Sequence, residues 1–211
     1  MISLAVTAHL QGPVTGAPML DAILEFVAAQ RLGLVAGFGP LQRVETPLAR
    51  EPAGRFALCS SPVVSWEARE GRYTHRRFPI HEAQMLGNAK LRRVNISAGA
   101  CRSYRIPGDV AWADGDAIRW WCVGDRTGIE GHLADVRHLG KRRAVGRGIV
   151  ERWAVESCVP WGDGYPVVRD GAPMRPLPLD WPGLVAPPTA YRTLAPPYWD
   201  HSAEVLCAVP Q

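Results

Sequence analysis

Lysine is nearly missing from this 211-residue chain: of its 24 Lys and Arg residues, only Lys90 and Lys141 are lysine. A GC-rich genome produces that bias by itself, so arginine richness alone does not indicate phosphate recognition. Also missing is any apolar run approaching the roughly 18 residues that a membrane-spanning helix needs. Met1 to Leu10 alternates in hydropathy, where a secretion signal would place a basic stretch followed by an apolar block. The five cysteines, Cys59, Cys101, Cys122, Cys158 and Cys207, are odd in number, widely spaced and form no C-x-x-C pair. That argues against a disulfide framework and against a zinc ribbon. Two familiar phosphate loops are absent as well, G-x-x-x-x-G-K followed by Ser or Thr, and G-x-G-x-x-G. His81-Glu82 does not open an H-E-x-x-H helix, because position 85 is Met85. These absences predict a soluble, cytoplasmic protein with reduced thiols, no membrane contact, no metal and no cofactor.

The chain carries enough apolar residues, 47%, for a real core, so disorder is not the default reading. Its net charge of +4 hides a segregation. Residues 69–105 hold nine cations (Arg69, Arg72, Arg76, Arg77, Lys90, Arg92, Arg93, Arg102, Arg105) against Glu70 and Glu82. Residues 137–152 hold six (Arg137, Lys141, Arg142, Arg143, Arg147, Arg152) against Glu151. The segments 106–136 and 153–211 are both net acidic. Two basic segments separated by acidic ones suit a polyanion that follows a path over the surface.

Hydropathy period places the elements. Ile2 to Leu10 alternates and stops at Gly12-Pro13, which predicts a strand. Leu20, Ile23, Leu24 and Val27 have the spacing of a helix face, with Gly33 as its stop. Residues 34–55 read as an irregular connection. Phe56-Ala57-Leu58 and Val63 to Ala68 read as short strands, with Glu70-Gly71-Arg72 turning into a hairpin partner at Tyr73 to Phe78. Val94 to Tyr104 alternates like a strand or ribbon. Ala117 to Val123 predicts a strand covered on both faces, with Trp120 and Trp121 in core and interface roles, as for Trp153. Ile129, Leu133 and Val136 mark a helix from about Asp125 to Arg137, and Ile149 to Glu156 a final strand. The expected fold is therefore α+β, a ferredoxin-like βαββαβ domain over residues 1–157, with a basic insertion at about 76–105. From Pro160 onward lie 11 of the 19 prolines. Residues 158–211 are expected to form an extended wrap packed on the domain, anchored by Trp161, Trp181, Tyr191, Tyr198 and Trp199.

Before the last strand runs Gly140-Lys141-Arg142-Arg143-Ala144-Val145-Gly146-Arg147-Gly148, three glycines set among four cations. Glycine reaches positive φ and lets another backbone approach, while arginine pairs with phosphate through two parallel hydrogen bonds. A phosphate-binding loop and a solvated turn both satisfy this composition. Arg142, Arg143 and Arg147 are the first candidates for phosphate contacts, followed by Arg76, Arg77, Lys90, Arg92, Arg93 and Arg102. Tyr73, Phe78 and Tyr104 are candidates for stacking on splayed bases. Of the histidines, His9, His75, His81, His132 and His138 are available as general bases, yet no pair has a spacing that demands catalysis. His132 and His138, six apart on one predicted helix, face different sides.

At Gly140 to Gly148, followed by Ile149-Val150-Glu151-Arg152-Trp153, the chain resembles the RAMP superfamily of CRISPR–Cas proteins, whose ferredoxin-like domains carry a glycine-rich loop between the last helix and the last strand. Within it, Met19-Leu20-Asp21-Ala22-Ile23-Leu24-Glu25 and Leu139-Gly140-Lys141-Arg142-Arg143 are similar to the small subunit of type IV effector complexes that caps the 5′ handle of the CRISPR RNA. The resemblance implies a non-enzymatic RNA-binding subunit with a thumb-like insertion wedged at the handle–spacer junction. It implies as partners the CRISPR RNA, the repeated backbone subunit, a large-subunit-like protein, the processing endonuclease of the same complex and, indirectly, the target nucleic acid. The rival readings are a metal-independent CRISPR RNA-processing endoribonuclease on the same fold and a protein-interaction scaffold that meets an acidic partner.

Overall fold

The computed structural model describes residues 1–34, 44–76, 104–141 and 146–210. Its centre is an antiparallel sheet in the order β4-β1-β5, formed by β1 (Ile2–Gln11), β4 (Ala117–Gly124) and β5 (Ile149–Ser157). One face carries α1 (Leu20–Arg31) and α2 (Arg126–Leu133). The strand side chains alternate as sequence period requires: Leu4, Val6, Ala8, Leu10, Ile118, Trp120 and Cys122 point into the helices and are buried. Trp120 is fully buried, its Nε1 donates to the Pro18 carbonyl at 3.2 Å, and its ring meets Trp153 at 5.9 Å. Each such fully buried side chain stabilises the fold by about 1.5–3 kcal/mol.

The fourth position of a ferredoxin-like sheet, outside β4, is filled irregularly. Isolated antiparallel bridges join Cys59 to Cys122 and Val63 to Arg119, and Ser60 N–H donates to the Trp121 carbonyl at 2.8 Å. Chain order and sheet order together are therefore α+β and ferredoxin-like, with the second strand reduced to an edge at 57–63. Phe56-Ala57-Leu58 is part of this passage and not a regular strand. The strand read from Val63 to Ala68 begins only at Trp66, and Gly71 does not turn it. Instead β2 (Trp66–Arg76) runs straight through Glu70-Gly71-Arg72 and pairs with β3 (Tyr104–Ala113), from Trp66 opposite Ala113 to Arg76 opposite Tyr104. The two strands form a stem that leaves the sheet, with Trp66 packed into the main core at its base. Most of the expected insertion, and the strand read from Val94, lie outside the described residues.

The helix expected to reach Arg137 stops at Leu133. Asp125 caps its start, accepting from Gly128 N–H at 2.7 Å, and the chain then leaves helical geometry so that Val150 N–H can donate to the Arg137 carbonyl. In β5 the register against β1 shifts between His9 and Leu10, where Glu151 is the extra residue of a bulge. The shift is needed because Trp153 and Val155 share one parity and Val150 the other. The bulge keeps all three on the core side and Arg152 on the opposite face.

The proline-rich C-terminal portion forms a two-stranded ladder of β6 (Val168–Arg169) and β7 (Ala172–Pro173). It also forms a small sheet in the order β8-β10-β9, from β8 (Leu177–Pro178), β9 (Thr189–Arg192) and β10 (Val205–Ala208). A second apolar cluster, Phe56, Val167, Val168, Leu177 and Ala195 with Trp181 against Phe56, ties it to the 56–60 passage. Of the expected aromatic anchors, Trp161, Trp181 and Tyr198 do pack inward. Tyr191 and Trp199 do not, being 62% and 71% exposed. Among the described residues no helix is long and apolar enough to cross a membrane.

Candidate nucleic-acid interface

Three connections meet at the end of the sheet where β1 finishes. The strap Pro13 to Gly16 leaves β1 and pairs on one side with the stem: Val14 N–H donates to the Ala111 carbonyl at 2.9 Å, and Ala111 N–H returns the bond at 3.0 Å. On its other side it holds the glycine loop. Lys141 N–H donates to the Thr15 carbonyl at 2.9 Å, Gly148 N–H donates to the Pro13 carbonyl at 2.9 Å, and an Arg147 Nη1 donates to Thr15 Oγ1 at 3.2 Å. The loop's two ends close on each other where Leu139 N–H meets the Gly148 carbonyl at 2.7 Å. A four-residue strap thus ties the base of the stem and the two ends of the glycine loop to one end of the sheet.

The loop glycines do structural work there. Gly140 has φ +72° and Gly148 φ +63°. A Cβ at Gly140 would collide with the carbonyl oxygens of Thr15 and Gly16, and one at Gly148 with the carbonyl oxygen of Leu139. Gly146, also at positive φ, faces open space. Half-buried Arg147 is engaged with Thr15, whereas Lys141 is exposed. The backbones of Arg76 and Tyr104 pair at the far end of the described stem. Arg142, Arg143, Arg77, Lys90, Arg92, Arg93 and Arg102, with Phe78 and His81, lie outside the described residues; of Tyr73 and His75 only the backbone path in β2 is described.

The sheet face opposite the helices is divided. Its far half is covered by the C-terminal portion: Trp161 meets Trp121 edge to face at 5.3 Å, and Tyr165 Oη donates to the Leu4 carbonyl at 2.6 Å. In the half nearest the strap and loop Arg119 and Arg152 are exposed although Thr7 is buried, so among the described residues the strand at 117–123 is not covered on both faces along its whole length, contrary to expectation. Across this half run Arg119 on β4, His9 on β1 and Arg152 on β5. Arg152 lies opposite His9, and Arg119 lies opposite Thr7, to whose Oγ1 its Nε donates at 3.3 Å. Arg119 and Arg152 are exposed and enter no ion pair among the described residues.

The electrostatic consequence falls on His9. Burial first, then Arg152 and Arg119, hold its pKa below the ordinary 6.5, with Glu151 and Glu156 opposing. A row of cations that depresses a neighbouring histidine is a site that an anion would relieve. The sequence offered one signal for it: Arg119 is the sole charge within an otherwise apolar strand. Arg152 was counted among the basic residues but not singled out, and His9 was weighed only as a possible base. Of the other histidines, His132 Nδ1 lies 2.8 Å from the Gly128 carbonyl of its own helix, and His138 sits at the bridge to Ile149. Among the described residues no group of three His, Cys, Asp or Glu side chains is placed to hold a metal ion.

A second polar cluster, which the sequence did not disclose, is internal. Arg175 is fully buried and donates through Nη1 to the Ala57 carbonyl at 2.5 Å. Its Nη2 reaches the Leu194 carbonyl at 2.5 Å, Tyr198 Oη at 2.9 Å and Asp21 Oδ2 at 3.3 Å. Tyr198 Oη donates to Asp21 Oδ2 at 2.7 Å. Burial works against the charge on Arg175, but the Asp21 carboxylate outweighs it and raises the pKa. Burial also pushes the Cys59 thiol, beside this guanidinium, up to about 12, so it is inert as a nucleophile. The cluster joins α1, the 57–60 edge and the C-terminal portion.

The fold and this end of it define a ferredoxin-like α+β protein with a strapped glycine loop, a projecting two-stranded stem and an open cationic half-sheet. The chain belongs to the family described as CRISPR type IV associated protein Csf3, which it matches over residues 64–210, more than two thirds of its length. The match takes in the stem, β4, the glycine loop, β5 and the C-terminal portion, and leaves β1 and α1 outside it. No curated protein matches the chain.

Proposed function

We propose that this protein is a non-enzymatic RNA-binding subunit of a type IV CRISPR–Cas effector complex, a RAMP-type protein that caps the 5′ handle of the CRISPR RNA and abuts the repeated backbone subunit. The carrying observation is the row Arg119, His9 and Arg152, whose two arginines are exposed and enter no ion pair among the described residues, at the end where the strap joins the glycine loop to the stem, in a member of a type IV CRISPR-associated family. RNA phosphates would meet Arg119, Arg152 and Lys141, and Arg142 and Arg143, outside the described residues, are further candidates from the sequence. The stem would carry the insertion toward the neighbouring subunit, and a large-subunit-like protein and the processing endonuclease complete the assembly. In this reading His9 contacts phosphate and does not cut.

The test is purification of the protein together with the products of its neighbouring genes. RNA of uniform 5′ end and a repeated subunit should co-elute with it. Protein that elutes free of RNA and of that subunit would contradict the proposal. Cleavage of repeat RNA at one position by the purified protein with metals chelated would replace it with the nuclease reading.

A further inference from the structure

β5 is an edge strand of the central sheet, paired with β1 on its inner side. Just past its end, Cys158 N–H donates to the Ser3 carbonyl at 3.1 Å, continuing the register of that pair. Hydrogen-bonding direction alternates along an antiparallel strand, so Arg152, Ala154 and Glu156 also turn N–H and C=O toward β1, while Trp153, Val155 and Ser157 turn theirs outward. Residues 137 and 138 occupy only the start of the outer edge, where Val150 N–H donates to the Arg137 carbonyl and His138 bridges Ile149. From Trp153 to Ser157 the outward groups have no backbone partner among the described residues.

The side chains along this edge are complementary to themselves. Arg152, Ala154 and Glu156 share the face opposite the helices, and Arg152 and Glu156 are both exposed and enter no ion pair among the described residues. Four residues of strand, about 13 Å, separate them, too far for a pair within one chain. A second β5 laid antiparallel about a twofold axis at Ala154 sets Trp153 opposite Val155 in both directions, so that the outward groups exchange hydrogen bonds. The same register sets Arg152 opposite Glu156 in both directions, with the small Ala154 side chains meeting at the axis. Sliding the pairing by two residues loses both ion pairs, and sliding it by four sets Arg152 against Arg152 or Glu156 against Glu156. Charges that only guard an edge have no need to match across a twofold axis; these match in one register and oppose the others.

We propose that the chain, free of RNA, forms a twofold dimer through β5, in which the three-stranded sheets of two copies join into one continuous sheet and Arg152 of each copy pairs with Glu156 of the other. The dimer goes beyond the RNA-binding function and does not depend on it. Because the pair occupies Arg152, the dimer and RNA bound at that residue are alternative states.

The experiment is sedimentation of the full chain, without RNA, over a wide range of concentration. The wild type should pass from monomer to dimer as concentration rises. Arg152→Glu and, separately, Glu156→Arg set two like-charge pairs across the axis and should each weaken dimerisation by about tenfold or more. Mixing the two variants restores opposite charges at both positions, so the mixture should form a heterodimer about as tight as the wild-type dimer. Both residues are exposed, so each variant should keep the wild-type denaturation midpoint; if one fails to fold, Glu156→Gln carries the test, with a loss of about threefold or more. A wild type that stays monomeric at every concentration, single variants that dimerise like the wild type, or a mixture that stays monomeric overturns the β5 dimer. None of these results bears on RNA binding, which is read from affinity in a separate measurement.

Discussion

In the half of the molecule organised by the C-terminal portion, the cation Arg175 is fully buried and met by carbonyls, a tyrosine hydroxyl and the Asp21 carboxylate. In the half organised by the glycine loop, Arg119 and Arg152 stand exposed on the central sheet, with no carboxylate in an ion pair among the described residues and His9 beside them. Burying an arginine is tolerable only when its neighbours compensate the charge, and for Arg175 carbonyls, a tyrosine hydroxyl and the Asp21 carboxylate do so at both terminal nitrogens, leaving Nε without a partner among the described residues. On the other side it gathers like charges and leaves them to solvent. The contrast separates cations that hold the fold from cations that await a ligand, a distinction that composition alone cannot make.

The largest effect expected from disturbing this contrast lies at Arg175. Arg175→Met should destabilise the protein by about 3–5 kcal/mol, because it strands the Asp21 carboxylate in the interior. Chemical denaturation would measure this. Pairing the change with Asp21→Leu should recover much of the loss, since an apolar pair does not carry the desolvation cost of the ion pair. A single variant of wild-type stability would mean that the cluster is not a clasp between α1 and the C-terminal portion.

A smaller effect is expected at His9. Its pKa is depressed in the free protein, so the neutral form prevails above and just below 6.5. A bound phosphate favours the protonated form, hence RNA affinity should rise as pH falls through 6.5 and level off once the free protein's His9 is itself protonated. Arg152, Arg119, Glu151 and Glu156 are the charged groups that set this window. His9→Gln should flatten the profile over that range, as titrations of affinity against pH would report; an unchanged profile would take His9 out of the interface.

Periodicity made β1, α1, β4 and β5 legible, because their apolar side chains meet one face of one core. The edge at 57–63 was not, since single bridges leave no repeating pattern. The pairing of β2 with β3 was missed for a different reason: its partners are remote in sequence, and Glu70-Gly71-Arg72 has turn composition although the strand passes straight through it. The glycine loop was readable as a special backbone, yet Gly140 proves to be required for docking on the strap and Gly148 for closing the loop on Leu139. Asp21 looked like an ordinary acid in the first turn of a helix, and nothing local marks a carboxylate whose partner lies in the proline-rich portion. Arg119 sat within an acidic segment, where the charge average concealed it.

The most direct test of the central claim is the salt dependence of RNA binding by wild type and by Arg119→Ala with Arg152→Ala. If the open half-sheet contacts phosphate, the double variant should keep its denaturation midpoint, bind all RNA sequences more weakly and lower the slope of log affinity against log salt by about two units, close to one per lost contact. A folded double variant with the wild-type affinity and slope would show that the exposed cations meet no RNA, and the account of this interface would fail.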